Sequence, residues 1–155
     1  MKRERLFSVI EREWTGLMES FSGLPDSVLV EPGVVGEWSV RDLLGHIATW
    51  EEEALAALPV ILEGRPLPRY ASSGGIDAFN ARDQDRKRGI TIAELRQDLV
   101  ATHQRIMAYL ASVPETAYAQ EGRFLKRLRQ DTYGHYREHN GQVVRWRNEQ
   151  NQAQS

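Results

Sequence analysis

The chain has 155 residues, of which 41% are hydrophobic and 27% are charged, and this composition is typical of a folded domain rather than a disordered segment. It contains no cysteine, which excludes disulfides, thiolate metal ligands, iron–sulfur clusters and a cysteine nucleophile. The formal net charge of −2 gives no electrostatic reason to expect a nucleic-acid partner, so we predict none.

No segment predicts a membrane span or an export signal. The longest apolar run, 54–62, is shorter than the roughly 18–20 residues that cross a bilayer, and Pro59 interrupts it. Glu11, Arg12 and Glu13 fall where a signal peptide would carry its apolar stretch. We therefore expect a cytoplasmic protein that does not bind membranes.

Hydrophobic spacing predicts two helices in the first part of the chain. Apolar residues at intervals of three and four predict a first helix over 6–21, which ends before Pro25. The second helix begins at Ser39, because Ser39 and Asp42 can form a short capping box, and it continues to about Gly64.

Two further helices follow a long connection over 65–89, whose second half, 76–88, is compatible with a short polar helix. The third helix begins at Thr91, where Glu94 completes a capping box. The fourth is predicted over 125–149 as one continuous helix.

Four helices of this length predict an all-α fold, a four-helix bundle in which the long connection crosses over between helices two and three. We expect one domain over 1–150 and a disordered tail over 151–155. Gly134 and Gly141 lie inside the last helix, each costing about 1 kcal/mol relative to alanine, which is tolerable where a backbone or ligand comes close.

The placement of the histidines is the most informative feature of the sequence. His135 and His139 are four residues apart and share one helix face, as do the two histidines of an HExxH zinc helix, although Tyr136 replaces the glutamate of that motif. His46 also points at the core from the second helix. One divalent ion held by all three would satisfy imidazoles that are otherwise costly to bury. The alternative is that each histidine is separately hydrogen-bonded.

Other residues are weaker candidates. His103 lies on the apolar stripe of the third helix, and we expect it to line a pocket with Trp50, Tyr136 and Gln142 rather than to bind the ion. Asp131 and Gln142 flank the histidine pair and are candidates to orient the ligands, although a solvated or helix-capping role is equally compatible with each. Trp50 is equally compatible with a core position. The catalytic acid and base are not assigned.

A basic run, which comprises Arg123, Lys126, Arg127 and Arg129, could bind an anion. Such runs are more often solvated faces, and we interpret this one so.

Two segments resemble a known family. The segment 37–51 (EWSVRDLLGHIATWE) is similar to the start of the second helix in DinB/YfiT-like proteins, and 131–139 (DTYGHYREH) resembles their closing helix. Residues 76–80 and the histidine of the third helix resemble the DfsB/ClbS branch in particular.

This resemblance implies a four-helix bundle with a crossover between helices two and three, often dimeric, with a three-histidine metal site. Its ligands would be His46, His135 and His139. Family members include thiol-dependent transferases, hydrolases and proteins that protect against reactive small molecules. Some DfsB/ClbS-type relatives act without a metal.

The leading functional hypothesis is a metal-dependent enzyme, a hydrolase or a transferase, that acts on a small molecule. The ion would be zinc or nickel, with iron or manganese as further candidates. Because the chain has no cysteine, a transferase would need a low-molecular-weight thiol from solution. The alternatives are a module that sequesters a small molecule without turnover, and a helical interaction protein whose histidines lie in the core. A homodimer is compatible with each.

Overall fold

The computed structural model describes residues 2–154. Within that range the α-helices run in the order α1 (Arg3–Ser20), α2 (Asp26–Leu29), α3 (Val40–Leu62), α4 (Ile76–Lys87), α5 (Ile92–Ser112), α6 (Arg123–Asp131) and α7 (Tyr133–Ala153). Short 3-10 turns occur at Tyr70–Ser73 and Glu115–Tyr118. No β-strand is found between residues 2 and 154, so the all-α prediction is confirmed.

Both predicted capping boxes are present, and they fix where the two central helices begin. At α3 the Ser39 hydroxyl accepts from the Asp42 backbone N–H, while the Asp42 carboxylate accepts from the Ser39 N–H at 3.0 Å. Thr91 and Glu94 form the same reciprocal pair at α5. Each box satisfies backbone donors that have no partner inside the helix.

The four-helix bundle is confirmed, with α1 packed on α7, α3 packed on α5, and α6 packed on both α3 and α7. The core lies between these helices. Ile10, Leu58, Leu99 and Leu128 come from four different helices, and each is fully buried.

The crossover between α3 and α5 contains α4, the short helix that the sequence allowed, and α4 packs firmly on α3. The Lys87 ammonium is buried and donates to the Gly45 carbonyl at 2.6 Å and to the Thr49 hydroxyl, with Asp83 3.8 Å away. A Cβ on Gly45 would lie 3.1 Å from the Lys87 side chain, so a glycine here lets the lysine reach the α3 backbone.

The prediction of one continuous last helix over 125–149 is wrong, because the chain breaks between α6 and α7. Thr132, with φ −125° and ψ −106°, is the residue at the break. Two residues later, a Cβ on Gly134 would lie 2.7 Å from the Arg129 carbonyl oxygen. The two helices therefore meet with too little room for any side chain at position 134.

The two glycines of the last helix should respond in opposite ways to alanine. Gly134→Ala should destabilise the protein by about 1–3 kcal/mol, since the added methyl meets a backbone oxygen. Gly141→Ala should stabilise it by up to about 1 kcal/mol, because nothing lies within 4 Å of its Cβ position. Urea unfolding of both variants measures this contrast. Equal stability of the two variants would contradict the close approach of α6 and α7.

The tail that the sequence predicted to be disordered over 151–155 is helical as far as Ala153, and its last residue, Ser155, lies outside the described residues. None of the helices between residues 2 and 154 combines the length and the apolar character needed to cross a bilayer.

Candidate metal centre

Two helices position the three histidines. His46 lies two turns into α3, beyond the Ser39 cap, and His135 and His139 occupy the first two turns of α7. α7 begins after the break at Thr132, and it contacts both α3 and α6.

The three imidazoles converge on one point. The Nε2 atom of His135 lies 2.9 Å from Nε2 of His46 and 2.8 Å from Nε2 of His139. One ring nitrogen from each of the three lies within 4.8 Å of the others. Two nitrogen ligands on one zinc ion at 2.0–2.1 Å are about 3.0–3.4 Å apart, so this spacing is close to that of a ligand set. The three-histidine group that the sequence predicted is present.

The rings are uncharged at neutral pH. Burial lowers the pKa of His46 to about 3, and the other two histidines lose basicity for the same main reason. Each ring that takes up a proton would also repel its neighbours, which lowers the pKa of His46 and His135 further. A neutral imidazole is the form that binds a metal ion.

Hydrogen bonds between the rings cannot satisfy this cluster. The Nδ1–H of His139 donates to the Gln142 side-chain oxygen at 2.6 Å, so the Nε2 of His139 carries a lone pair toward His135. The Nε2 of His135 faces the ring nitrogens of both other histidines. A ring nitrogen of a neutral imidazole carries either a proton or a lone pair, so it cannot donate to one neighbour and accept from the other. The buried Nδ1 of His135 has no partner among residues 2–154. A cation at the point of convergence would accept all three lone pairs, so these residues fit a divalent ion.

Aromatic side chains surround His46. The ring of Trp38 lies edge-on to it with centroids 4.8 Å apart, and Trp50 lies 6.5 Å away. The Trp50 indole N–H donates to the Asn80 side chain at 2.9 Å, which ties the aromatic wall to α4. Trp38 and Trp50 therefore supply aromatic neighbours to the ring of His46.

His103 lies apart from the three-histidine group. Its ring stacks on Trp14 with centroids 3.9 Å apart, and its two nitrogens meet the Glu11 carboxylate at 3.0 Å and the Tyr136 hydroxyl at 3.2 Å. Tyr136 is fully buried. The role of His103, Tyr136, Trp50 and Gln142 in lining a substrate pocket stays a prediction.

Of the two residues proposed to orient the histidines, the structure places only Gln142 beside them. Asp131 is bound instead by Arg127, whose Nε donates to its carboxylate at 2.5 Å. Burial raises the pKa of Asp131 to about 6, although the Arg127 charge opposes this shift.

Among the ionisable groups that sequence reasoning missed, Glu51 is buried and Arg127 is largely shielded from solvent. Arg127 belongs to the run interpreted as a solvated face, yet its side chain is only 13% exposed. The i,i+4 spacing to Asp131 was the signal that could have found it. Glu51 is fully buried, and it lies on the stripe formed by Ile47 and Ala54, a signal that was present but not used.

Comparison with known proteins gives the family. The family model DinB_2, described as the DinB superfamily, matches residues 10–144. The chain therefore belongs to the DinB superfamily. A comparison with curated proteins finds no significant match.

Several solved structures share the fold. An uncharacterised protein from Escherichia coli UTI89 is 15% identical with a TM-score of 0.81, covering 97% of this chain and 95% of that one. The sibling lethal factor precursor DfsB is 12% identical with a TM-score of 0.77 and covers 97% of both chains. The colibactin self-resistance protein ClbS, in complex with dsDNA, is 14% identical with a TM-score of 0.77, covering 95% of this chain and 96% of that one.

The ClbS complex corrects one expectation. The near-neutral net charge led us to exclude a nucleic-acid partner, but a protein of this fold is described in complex with dsDNA. Net charge is a property of the whole chain, whereas DNA binding depends on a local surface, so the exclusion was wrong.

Proposed function

We propose that His46, His135 and His139 hold one divalent ion and that the protein is a metal-dependent enzyme acting on a small molecule. The observation that carries this proposal is the convergence of three uncharged imidazoles whose contacts hydrogen bonds cannot satisfy. When bound, the ion would act as a Lewis acid toward a water molecule or a thiol. Zinc or nickel suits an all-imidazole ligand set.

The chain's own residues prepare this site. Burial keeps His46 and His135 neutral, and Gln142 fixes the tautomer of His139 so that its Nε2 faces the cluster. Trp38 packs against His46 and limits its rotation. The protein provides no thiol, so as a transferase it would take a low-molecular-weight thiol from solution, and as a hydrolase it would use water.

A second candidate function is small-molecule binding without turnover, as in a resistance protein. The observation that favours it is a cavity of about 370 Å³ that Tyr70 and Phe79 help to line and that none of the three histidines lines. Binding there would not need the ion.

Metal content and turnover test the proposal together. Wild-type protein, purified without chelator and analysed by mass spectrometry for metals, should hold one ion per chain, and His139→Ala should hold none. His103→Gln is the matched control, because it removes a buried histidine outside the cluster and should keep the ion.

Product beyond one equivalent in a substrate screen supports an enzyme. A wild-type protein without a stoichiometric ion would defeat the proposal.

Gln142 should affect metal affinity without being a ligand. Gln142→Ala should weaken zinc binding by about 10–100-fold, because the His139 ring loses the acceptor that fixes its tautomer. Gln142→Glu keeps an acceptor at that position and should restore binding. Competition with a chromophoric chelator measures both. Unchanged affinity in the alanine variant would contradict the assigned role of Gln142.

A further inference from the structure

A cavity of about 370 Å³ lies between α3 and the crossover segment, outside the histidine cluster. Its apolar wall is formed by α3 and the first part of the crossover, through Ala57, Val60, Leu67 and Pro68, and by Phe79 of α4. A volume of this size is typical of a site for a small organic molecule.

Three hydrogen-bonded polar side chains also line the cavity. The Tyr70 hydroxyl donates to the Glu53 carboxylate at 2.7 Å and accepts from the Arg127 Nη2 at 2.9 Å. The Nε of Arg127 is held by Asp131. Within residues 2–154 the Nη1 of Arg127 and the second oxygen of Glu53 have no hydrogen-bond partner. The cavity thus offers a donor from Arg127 and an acceptor from Glu53, both groups within 3 Å of the Tyr70 hydroxyl, and a further donor from Arg69.

The charges around the cavity are balanced. Arg127 and Arg69 line it as cations, and Glu53 on the wall and Asp131 behind Arg127 oppose them. A carboxylate ligand would lie close to the negative charge of Glu53, and an ammonium ligand would lie close to the positive charge of Arg127. Because like charges repel, each ligand would lose affinity in this half-buried cavity. An uncharged group that both accepts and donates a hydrogen bond is the best match.

Trp50 connects the cavity to the histidines. Its ring lies 6.5 Å from that of His46, 5.4 Å from those of Tyr70 and Phe79, and 5.8 Å from the Arg127 guanidinium. A molecule held in the cavity therefore lies one aromatic residue away from the ring of His46.

We propose that this cavity binds an uncharged carboxamide attached to an apolar chain, its carbonyl accepting from Arg127 and its N–H donating to Glu53. We further infer that the substrate of the histidine site is held by such a group. This second part rests on the proposed function, whereas binding in the cavity does not.

Three probes with the same six-carbon chain test the chemistry: hexanamide, hexanoate and hexylamine. Each is titrated into metal-free, 15N-labelled wild-type protein, and shifts of the Trp50 indole signal and of the Val60 and Leu67 backbone amides are followed. Hexanamide should bind at least about tenfold more tightly than either charged probe, because each of those leaves one polar group of the cavity unpaired. Equal binding of all three, or no shift at these residues, would overturn the proposal.

A cavity-filling variant locates the site. Val60→Phe places an aromatic ring in the cavity and should reduce hexanamide affinity by at least about tenfold, because ring and ligand would occupy the same space. Val100→Phe is the matched control, since Val100 is 40% exposed on α5 and does not line the cavity. Unchanged hexanamide affinity in Val60→Phe would overturn the proposal. If Val60→Phe fails to fold, the comparison of the three probes in wild-type protein decides whether the proposal holds.

Zinc added to the same labelled sample separates the two claims. Shifts confined to the histidine rings, without hexanamide shifts, would support the metal centre and overturn the cavity. Hexanamide shifts without any response of the histidines to zinc would support the cavity and overturn the metal centre.

Discussion

Replacing His135 by alanine should reduce the affinity for a divalent ion by more than about 100-fold. This loss exceeds the roughly 10–100-fold that is typical when a residue that only hydrogen-bonds to a metal ligand is removed. His135 is the central member of the cluster, because its Nε2 lies within 3 Å of both other ring nitrogens. Isothermal titration with zinc on metal-free protein measures this loss.

In the metal-free state, the free energy of unfolding of His135→Ala should fall only by the amount that the packing of the imidazole ring contributes. Burying the unpaired Nδ1 of His135 costs the wild-type protein about 1–3 kcal/mol, and alanine removes that group. Zinc at 100 times the wild-type Kd should stabilise wild-type protein by about 2.7 kcal/mol and His135→Ala by no more than about 0.4 kcal/mol. Zinc stabilisation of the variant equal to that of wild type would show that the ion binds elsewhere.

Glu51→Gln should stabilise the protein at neutral pH by about 1–3 kcal/mol, the typical cost of burying a polar group that lacks full hydrogen bonds. Glu51 is fully buried, and neither of its oxygens makes a hydrogen bond of normal geometry among the described residues. Burial raises the pKa of Glu51 well above its ordinary value, and the hydroxyls of Thr102 and Tyr136 only partly offset this.

The sign of the pH dependence follows from the raised pKa. Below the unfolded value of about 4.5 the carboxyl is protonated in both states, so Glu51 and glutamine should be equivalent. As pH rises, the unfolded chain releases the proton freely while the folded protein retains it, and wild-type stability falls until the pH passes the folded pKa. The groups around Glu51 are Tyr136 on α7, His103 on α5 at 3.9 Å, and Glu52 on its own helix.

Urea unfolding of wild type and Glu51→Gln between pH 4.5 and pH 8 measures this effect. The gap between them should widen as pH rises. Glu52→Gln is the matched control, because this neighbouring residue is exposed and its change should stay within about 0.5 kcal/mol. A Glu51→Gln variant that is less stable than wild type at pH 8 would mean that Glu51 is ionised and paired in the folded protein.

The helices and their starts were predictable because their signals are local. The reciprocal pairs at Ser39 and Thr91 involve residues three apart, and the sequence shows them directly. The histidine group was predictable because four-residue spacing places His135 and His139 on one face, and His46 shares the core-facing stripe of its helix.

Features that depend on tertiary contacts were not predictable in the same way. At the break after Thr132, position 134 approaches the Arg129 carbonyl, a contact that the residue spacing along the last helix does not show. Likewise, the Arg127 side chain is only 13% exposed, and one of its contacts is the Tyr70 hydroxyl, 57 residues away in the chain. The spacing of Arg127 and Asp131 was a local signal for their ion pair, but nothing in the basic run itself indicates the contact with Tyr70.

An anomalous X-ray scan on crystals of protein purified without chelator, taken across the zinc and nickel absorption edges, addresses the shared ion most directly. We predict one anomalous peak per chain, about 2.0–2.1 Å from the Nε2 atoms of His46, His135 and His139. An empty cluster in crystals grown with excess zinc, or a peak bound by other residues, would contradict it.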